Sequence, residues 1–145
     1  MRIDIHSHFM SVAFLEHLQG RDTLPLAVRD ADGYITHCTP EFSIHYRPPF
    51  FPVQAKLADM DAAGIDLAVL SPGPPSPAVL GGALADSWAA RINDELAVMT
   101  AAHPGRLAGW ACLGFGDVSQ TIAEVDRCLD QLGLAGFQVL SLIHI

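Results

Sequence analysis

Two histidines near the start of the chain are the residues best placed to do chemistry. His6 and His8 lie in residues 1–8, where isoleucines alternate with polar side chains. This period-two pattern predicts a strand, on which residues i and i+2 project from the same face. Two imidazoles so placed can bind one metal ion, each through a nitrogen about 2.0–2.1 Å from it. The same alternation places Arg2 and Asp4 on the histidine face.

The spacing of this pair leaves a second interpretation open. A polar strand end with two solvated histidines would show the same short pattern, which also arises by chance. The position of the strand favours the metal site, because the first strand of a β/α repeat ends at the face where barrel enzymes keep their catalytic groups.

The later elements alternate between strands and helices. Helices are predicted at residues 11–18, 53–63, 84–102 and 117–132, and apolar strands at residues 65–70, 107–113 and 136–139. Such alternation predicts a parallel sheet joined by right-handed crossovers, which is an α/β fold. Helix 117–132 is expected to bury Ile122, Val125, Cys128, Leu129 and Leu132.

Residues 20–51 form a long irregular insertion after the first strand. Asp32-Gly33 predicts a hairpin turn, whereas Pro40, Pro48, Pro49 and Pro52 are expected to break up further structure. A connection of this length is usually functional.

Composition excludes several classes of function. The net charge of −8 and the lack of a basic cluster argue against nucleic-acid binding and against an anionic membrane surface. No apolar run approaches the roughly 18 residues of a membrane span. Three cysteines without CxxC spacing indicate reduced thiols, and therefore a cytoplasmic protein. The charged fraction of 17% is low against a usual value of about 25%, which suggests self-association or a missing part.

Ordered motifs along the chain carry a family resemblance. The opening RIDIHSHF resembles the start of the amidohydrolase superfamily. The later motifs resemble successive β/α units of the branch that includes aminocarboxymuconate-semialdehyde decarboxylase. They are LxxMDxxGID with VLS at residues 57–71, NDELA with HPxRLxG at residues 93–109, and LGxxGFQV at residues 132–139.

The resemblance implies a distorted (β/α)₈ barrel of the TIM type that binds a divalent ion, usually zinc. His6 and His8 would be metal ligands, joined by histidines and an aspartate from later strands that this chain lacks. Arg47 would contact a substrate carboxylate, a role that suits the forked guanidinium. Because such a barrel needs about 250 residues, residues 1–139 are expected to be its N-terminal half. The apolar tail, residues 140–145, departs from the family, and we hypothesise that it is foreign sequence.

The resemblance implies a metal-dependent enzyme acting on a small carboxylated or aromatic-derived substrate. Decarboxylation is slightly preferred to hydrolysis, and a homo-oligomer is a possible assembly. Two alternatives stay open. One is an inactive half-barrel that binds metal weakly or associates with itself. The other is a small flavodoxin-like binding module, which gives His6 and His8 no role.

Overall fold

The computed structural model of the chain describes residues 1–139 and contains seven strands and four α-helices in that range. The strands are β1 (Ile3–Phe9), β2 (Leu26–Asp30), β3 (Gly33–His37), β4 (Ser43–Tyr46), β5 (Leu67–Pro72), β6 (Leu107–Ala111) and β7 (Gly136–Phe137). The helices are α1 (Val12–Gln19), α2 (Val53–Ala63), α3 (Gly82–Ala101) and α4 (Val118–Asp130). None of the described helices is long and apolar enough to cross a membrane.

The main sheet is parallel, with strand order β1-β5-β6-β7. This confirms the predicted parallel α/β architecture. Strand β5 is almost wholly buried, and its Ala68 and Leu70 pack in one core with Trp88, Ile92 and Leu96 of α3. Burial on both faces explains why the strand is apolar throughout.

The first two residues of the strand predicted at 65–70 belong instead to the connection between α2 and β5. Strand β5 begins at Leu67 because Ile65 donates its N–H to Met60 and Asp66 donates to Arg2. Helix α2 ends as predicted at Gly64, which has the left-handed φ of 66°.

The insertion is more ordered than the sequence predicts. Strands β2 and β3 form the expected hairpin, with Asp30 opposite Gly33. The expectation that the prolines break up structure beyond the hairpin is wrong for β4, which pairs with β3 to complete a three-stranded antiparallel sheet. Pro40 lies in the turn between these strands, and Pro48 follows β4, so neither proline interrupts the ladder. Gly33 permits the close approach, since a Cβ there would lie 2.1 Å from the carbonyl oxygen of Tyr46.

Helix α4 buries a narrower face than its sequence predicts. Cys128 is fully buried, but Ile122 and Leu129 are exposed, so the prediction for these two residues is wrong. The apolar stripe of the helix is wider than the surface that α3 and the sheet cover within residues 1–139. Burial also raises the pKa of the Cys112 and Cys128 thiols to about 12, as expected for structural rather than reactive cysteines.

The buried carboxamide of Asn93 binds the backbone of the residue that follows β6, at the carboxyl edge of the sheet. The side chain of Asn93 on α3 accepts the N–H of Cys112 at 2.9 Å and donates to its carbonyl at 2.9 Å. It also donates to Glu124 of α4 at 2.8 Å. Burial alone would raise the pKa of Glu124, but hydrogen bonds from Arg127 and Asn93 outweigh it and hold that pKa below 4.5. Glu124 is therefore an ionised acceptor at neutral pH.

Candidate metal centre

Strand β1 contains a bulge that includes the first of the two histidines. Asp4 pairs with Ala68 and Ser7 with Leu70, so β1 has one more residue in this interval than β5. Bulges of this kind are common next to active sites, where they redirect side chains. The N–H of His6, inside the bulge, donates to the Asp4 carboxylate at 3.0 Å.

The bulge changes which side chains share a face of β1. Paired residues of a parallel ladder project to the same side, so Asp4 and Ser7 share the helix-facing side of Ala68 and Leu70. His8 pairs with Ser71 and projects to the other side. The prediction that Arg2 and Asp4 share the histidine face is therefore wrong, because the extra residue reverses the alternation between them and His8.

The two imidazoles converge on a common point. The Nε2 atoms of His6 and His8 are 3.2 Å apart, and their rings are nearly perpendicular, at 86°. Two nitrogens about 2.0–2.1 Å from an ion in tetrahedral geometry would lie about 3.3 Å apart. The observed separation fits two ligands of one metal ion.

His8 is held in an orientation suited to ligation. Its Nδ1 lies 3.4 Å from the Ser71 carbonyl oxygen and 3.3 Å from the Ser71 Oγ. An Nδ1–H donated to that carbonyl leaves the Nε2 lone pair free, as is usual for a metal-ligating histidine. Burial lowers the pKa of His8 below 6.5, which favours the neutral imidazole that binds metals.

Two residues around the pair were not identified from the sequence. Ser71 is the first polar residue after an apolar strand, which was the available signal for it. Lys56 donates to the Ser7 Oγ at 2.8 Å. Its signal was its position, since it is the only lysine of the chain and shares the stripe of α2 that includes Val53 and Met60.

The described part of the chain does not assemble a complete metal site. Among residues 1–139, no group of three or more histidine, cysteine, aspartate or glutamate side chains could hold an ion. The assignment of His6 and His8 as ligands therefore stays a prediction, and it needs further ligands.

Arg47 lies on the insertion, directly after β4. Its side chain is exposed, and its guanidinium makes no hydrogen bond or ion pair with any other residue in the described range. The adjacent residue Tyr46 is buried and donates its hydroxyl to the Pro74 carbonyl at 2.5 Å. Gly73 permits this contact, because a Cβ there would lie 2.7 Å from the Tyr46 hydroxyl oxygen. Tyr46 thereby joins the insertion to the loop that follows Ser71.

An apolar cavity of about 270 Å³ lies at the carboxyl edge of the sheet. Its walls come from the β3–β4 turn and from the loops that follow β5 and β6. They include Phe42, Pro74, Val79, Leu113 and Phe115. This edge is the one at which β1 ends beside His8, as expected for a parallel sheet with its functional groups after the strands.

Comparisons with known proteins agree with the motifs. The dihydroxybenzoic acid decarboxylase of Polaromonas sp. JS666, crystallised with manganese and 2-nitroresorcinol, matches at a TM-score of 0.70 and 28% identity. The match covers 94% of this chain and 37% of that one. The 5-carboxyvanillate decarboxylase of Sphingomonas paucimobilis matches at a TM-score of 0.73 and 24% identity, over 97% of this chain and 42% of that one, and supports the fold alone. The predicted partial amidohydrolase barrel is confirmed by these structures.

Sequence relatives point to the same group. Gamma-resorcylate decarboxylase from Polaromonas sp. is 36% identical over 78 residues, which cover 53% of this chain and 24% of that protein. The chain thus spans about a quarter of this curated relative and about two fifths of the solved structures. The resemblance to the decarboxylase-containing branch is confirmed. A family model described as Amidohydrolase matches residues 3–144. The chain belongs to the Amidohydrolase family.

Proposed function

We propose that His6 and His8 are the first two ligands of a divalent metal ion in a metal-dependent enzyme. The observation that carries the proposal is the 3.2 Å separation of their Nε2 atoms at the carboxyl end of β1. The longer protein would supply the remaining ligands, since relatives extend well beyond the length of this chain. When bound, the ion would supply Lewis-acid stabilisation of substrate oxygens.

Zinc is the metal that this pair favours. Two imidazoles suit Zn²⁺, whereas Mn²⁺ prefers carboxylate, carbonyl and water ligands. The Polaromonas structure was crystallised with manganese, so Mn²⁺ is the competing choice. The ligands contributed by later strands would decide between them.

Metal content of the intact protein that contains this chain tests the site. There, with the remaining ligands in place, we expect about one Zn²⁺ per subunit after loading and dialysis, and a loss of at least 100-fold in affinity in His6→Ala or His8→Ala, since each removes a direct ligand. His103→Ala is the matched control, because this histidine precedes β6 at the opposite edge of the sheet. Metal content indistinguishable from background in the unaltered intact protein would contradict the proposed metal site.

The reaction that we propose is decarboxylation of a small aromatic carboxylate, in preference to hydrolysis. Dihydroxybenzoate decarboxylation in Polaromonas sp. JS666 is the activity named both for the sequence relative, at 36% identity over 78 residues, and for the solved structure, at 28% identity. The apolar cavity beside β5 and β6 is suited to a flat ring, because few polar side chains line it. Arg47 would hold the carboxylate through paired hydrogen bonds, because its guanidinium is exposed and unengaged within residues 1–139.

Kinetics of the intact protein that contains this chain test the role of Arg47. We expect Arg47→Gln to raise KM for a hydroxybenzoate by about 10- to 100-fold, in line with the roughly 1.5–3 kcal/mol of a hydrogen bond to a charged group. Arg29→Gln is the control, because Arg29 is an exposed arginine of the same insertion. An equal KM in the two variants would show that Arg47 does not bind the substrate carboxylate.

We also propose a reducing, cytoplasmic location and a homo-oligomeric assembly. Cys38, Cys112 and Cys128 are all unpaired, which suits a compartment that keeps thiols reduced. Exposed apolar side chains such as Ile122 offer contact area for a second subunit. Recovery of the protein from culture medium, or a monomer in sedimentation at micromolar concentration, would contradict these two proposals respectively.

A further inference from the structure

Helix α2 contacts the residue that separates the two histidines. Lys56 Nζ donates to the Ser7 Oγ at 2.8 Å, and Ser7 projects to the side of β1 opposite His8. Lys56 therefore approaches the histidine segment from behind. It also lines a small cavity that is bordered by His8 and Phe50, with its ammonium 5.8 Å from the Phe50 ring centre.

The surroundings of Lys56 are unusual for a core-facing position of a helix. The ammonium is half-buried, and an apolar side chain would fill the site without the cost of removing a charge from water. Burial lowers the pKa of Lys56, and Asp4 and Asp59, within electrostatic range, offset only part of that cost. The Asp4 carboxylate in turn accepts the N–H of His6. Lys56 thus acts on the segment at two points, directly at Ser7 and through the charge of Asp4.

This segment is the part of β1 that most needs outside support. The bulge between Asp4 and Ser7 leaves the extra residue without a partner on β5. The imidazole Nε2 atoms lie at the far ends of their side chains, so a small rotation of the backbone there separates them.

We propose that Lys56 is a positioning residue for the metal centre. By holding Ser7 and stabilising Asp4, it keeps the bulged segment in the conformation that brings the Nε2 atoms of His6 and His8 together. The inference rests on the proposed metal site. Partners outside the ligand set of a metal typically change its affinity by about 10- to 100-fold when removed.

Zinc affinity of the intact protein that contains this chain, measured by competition with a chromophoric chelator, tests the inference. We expect Lys56→Met to weaken Zn²⁺ binding about 10-fold or more, and Lys56→Arg, which keeps a charged donor, to weaken it less than about 3-fold. Gln54→Met is the matched control, since Gln54 is exposed on the same helix. It should bind Zn²⁺ as the unaltered protein does.

A double-mutant cycle separates positioning from general support of the fold. Ser7→Ala removes the acceptor, so the combination of Lys56→Met with Ser7→Ala should bind Zn²⁺ scarcely more weakly than Lys56→Met alone. Additive losses would show that Lys56 does not act through Ser7. Should Lys56→Met fail to fold, Ser7→Ala and Lys56→Arg carry the comparison.

Two failures are distinguishable. If the unaltered intact protein binds Zn²⁺ no better than its His6→Ala variant, the metal site is refuted and the inference with it. If the unaltered protein binds Zn²⁺ through His6 and His8, and Lys56→Met binds it equally well or changes only the melting temperature, the inference alone is wrong.

Discussion

Replacing Asn93 with leucine is expected to lower the free energy of unfolding by about 3–4 kcal/mol. The side chain is fully buried, and leucine has the same branched shape but can neither accept the Cys112 N–H nor donate to the Cys112 carbonyl. Each buried group left without a partner costs about 1–3 kcal/mol. Glu124 also loses a donor. Urea unfolding followed by far-UV circular dichroism measures the change, provided that the m-value is unaltered.

The neighbouring residue provides the control. Asp94 is exposed and pairs with Arg127, so Asp94→Asn should change stability by less than about 1 kcal/mol. Similar losses in the two variants would mean that the buried carboxamide has no special part in holding the end of β6.

Gly116→Ala is expected to destabilise the chain by about 1–3 kcal/mol, because the added methyl group has no space. A Cβ at this position would lie 2.0 Å from the carbonyl oxygen of Gly82 and 2.6 Å from the Asp86 carboxylate. The loop after β6 would have to move away from the start of α3. It would also break the hydrogen bond from the Gly116 N–H to Asp86, now 2.9 Å long. The melting temperature and urea midpoint should both fall.

Gly20→Ala separates this clash from the general effect of replacing a glycine. Gly20 follows α1 with an ordinary φ of −82°, and the nearest atom to an added Cβ would be 3.7 Å away. That variant should be neutral or slightly stabilised, since alanine restricts the unfolded chain. Equal melting temperatures for the two alanine variants would rule out the predicted clash.

The main sheet could be predicted from the sequence because its signals are local. Helix periodicity, the stop at Gly64 and apolar runs of strand length are properties of short windows. Strand β4 could not be predicted in this way. Its four residues lie between prolines, and they form a strand because Thr36 and Ile35 of β3 offer a partner. The predicted burial of Ile122 and Leu129 on α4 was also wrong. Burial depends on which elements cover a helix and not only on the helix's own apolar stripe.

For the candidate site too, the features that depend on local sequence could be predicted and those that depend on the fold could not. The spacing of His6 and His8 indicated a pair, and the structure brings their nitrogens together. Ser71 and Lys56 contact this segment from positions more than 45 residues away along the chain, and only the folded arrangement reveals those contacts. The reversed orientation of Asp4 depends on the register between β1 and β5, which no local pattern encodes.

The extra residue in β1 has a consequence for comparing this chain with its homologues. On either side of Ile5 and His6, the strand follows two different alternations of facing side chains. A gap-free alignment anchored on the two histidines will therefore equate Asp4 with a residue on the wrong side of any relative whose first strand is regular. At identities as low as 24%, a sequence profile built from such an alignment would mix residues from the two faces of the strand at the position of Asp4. Structural superposition should fix the gap in this strand before residues are transferred between members.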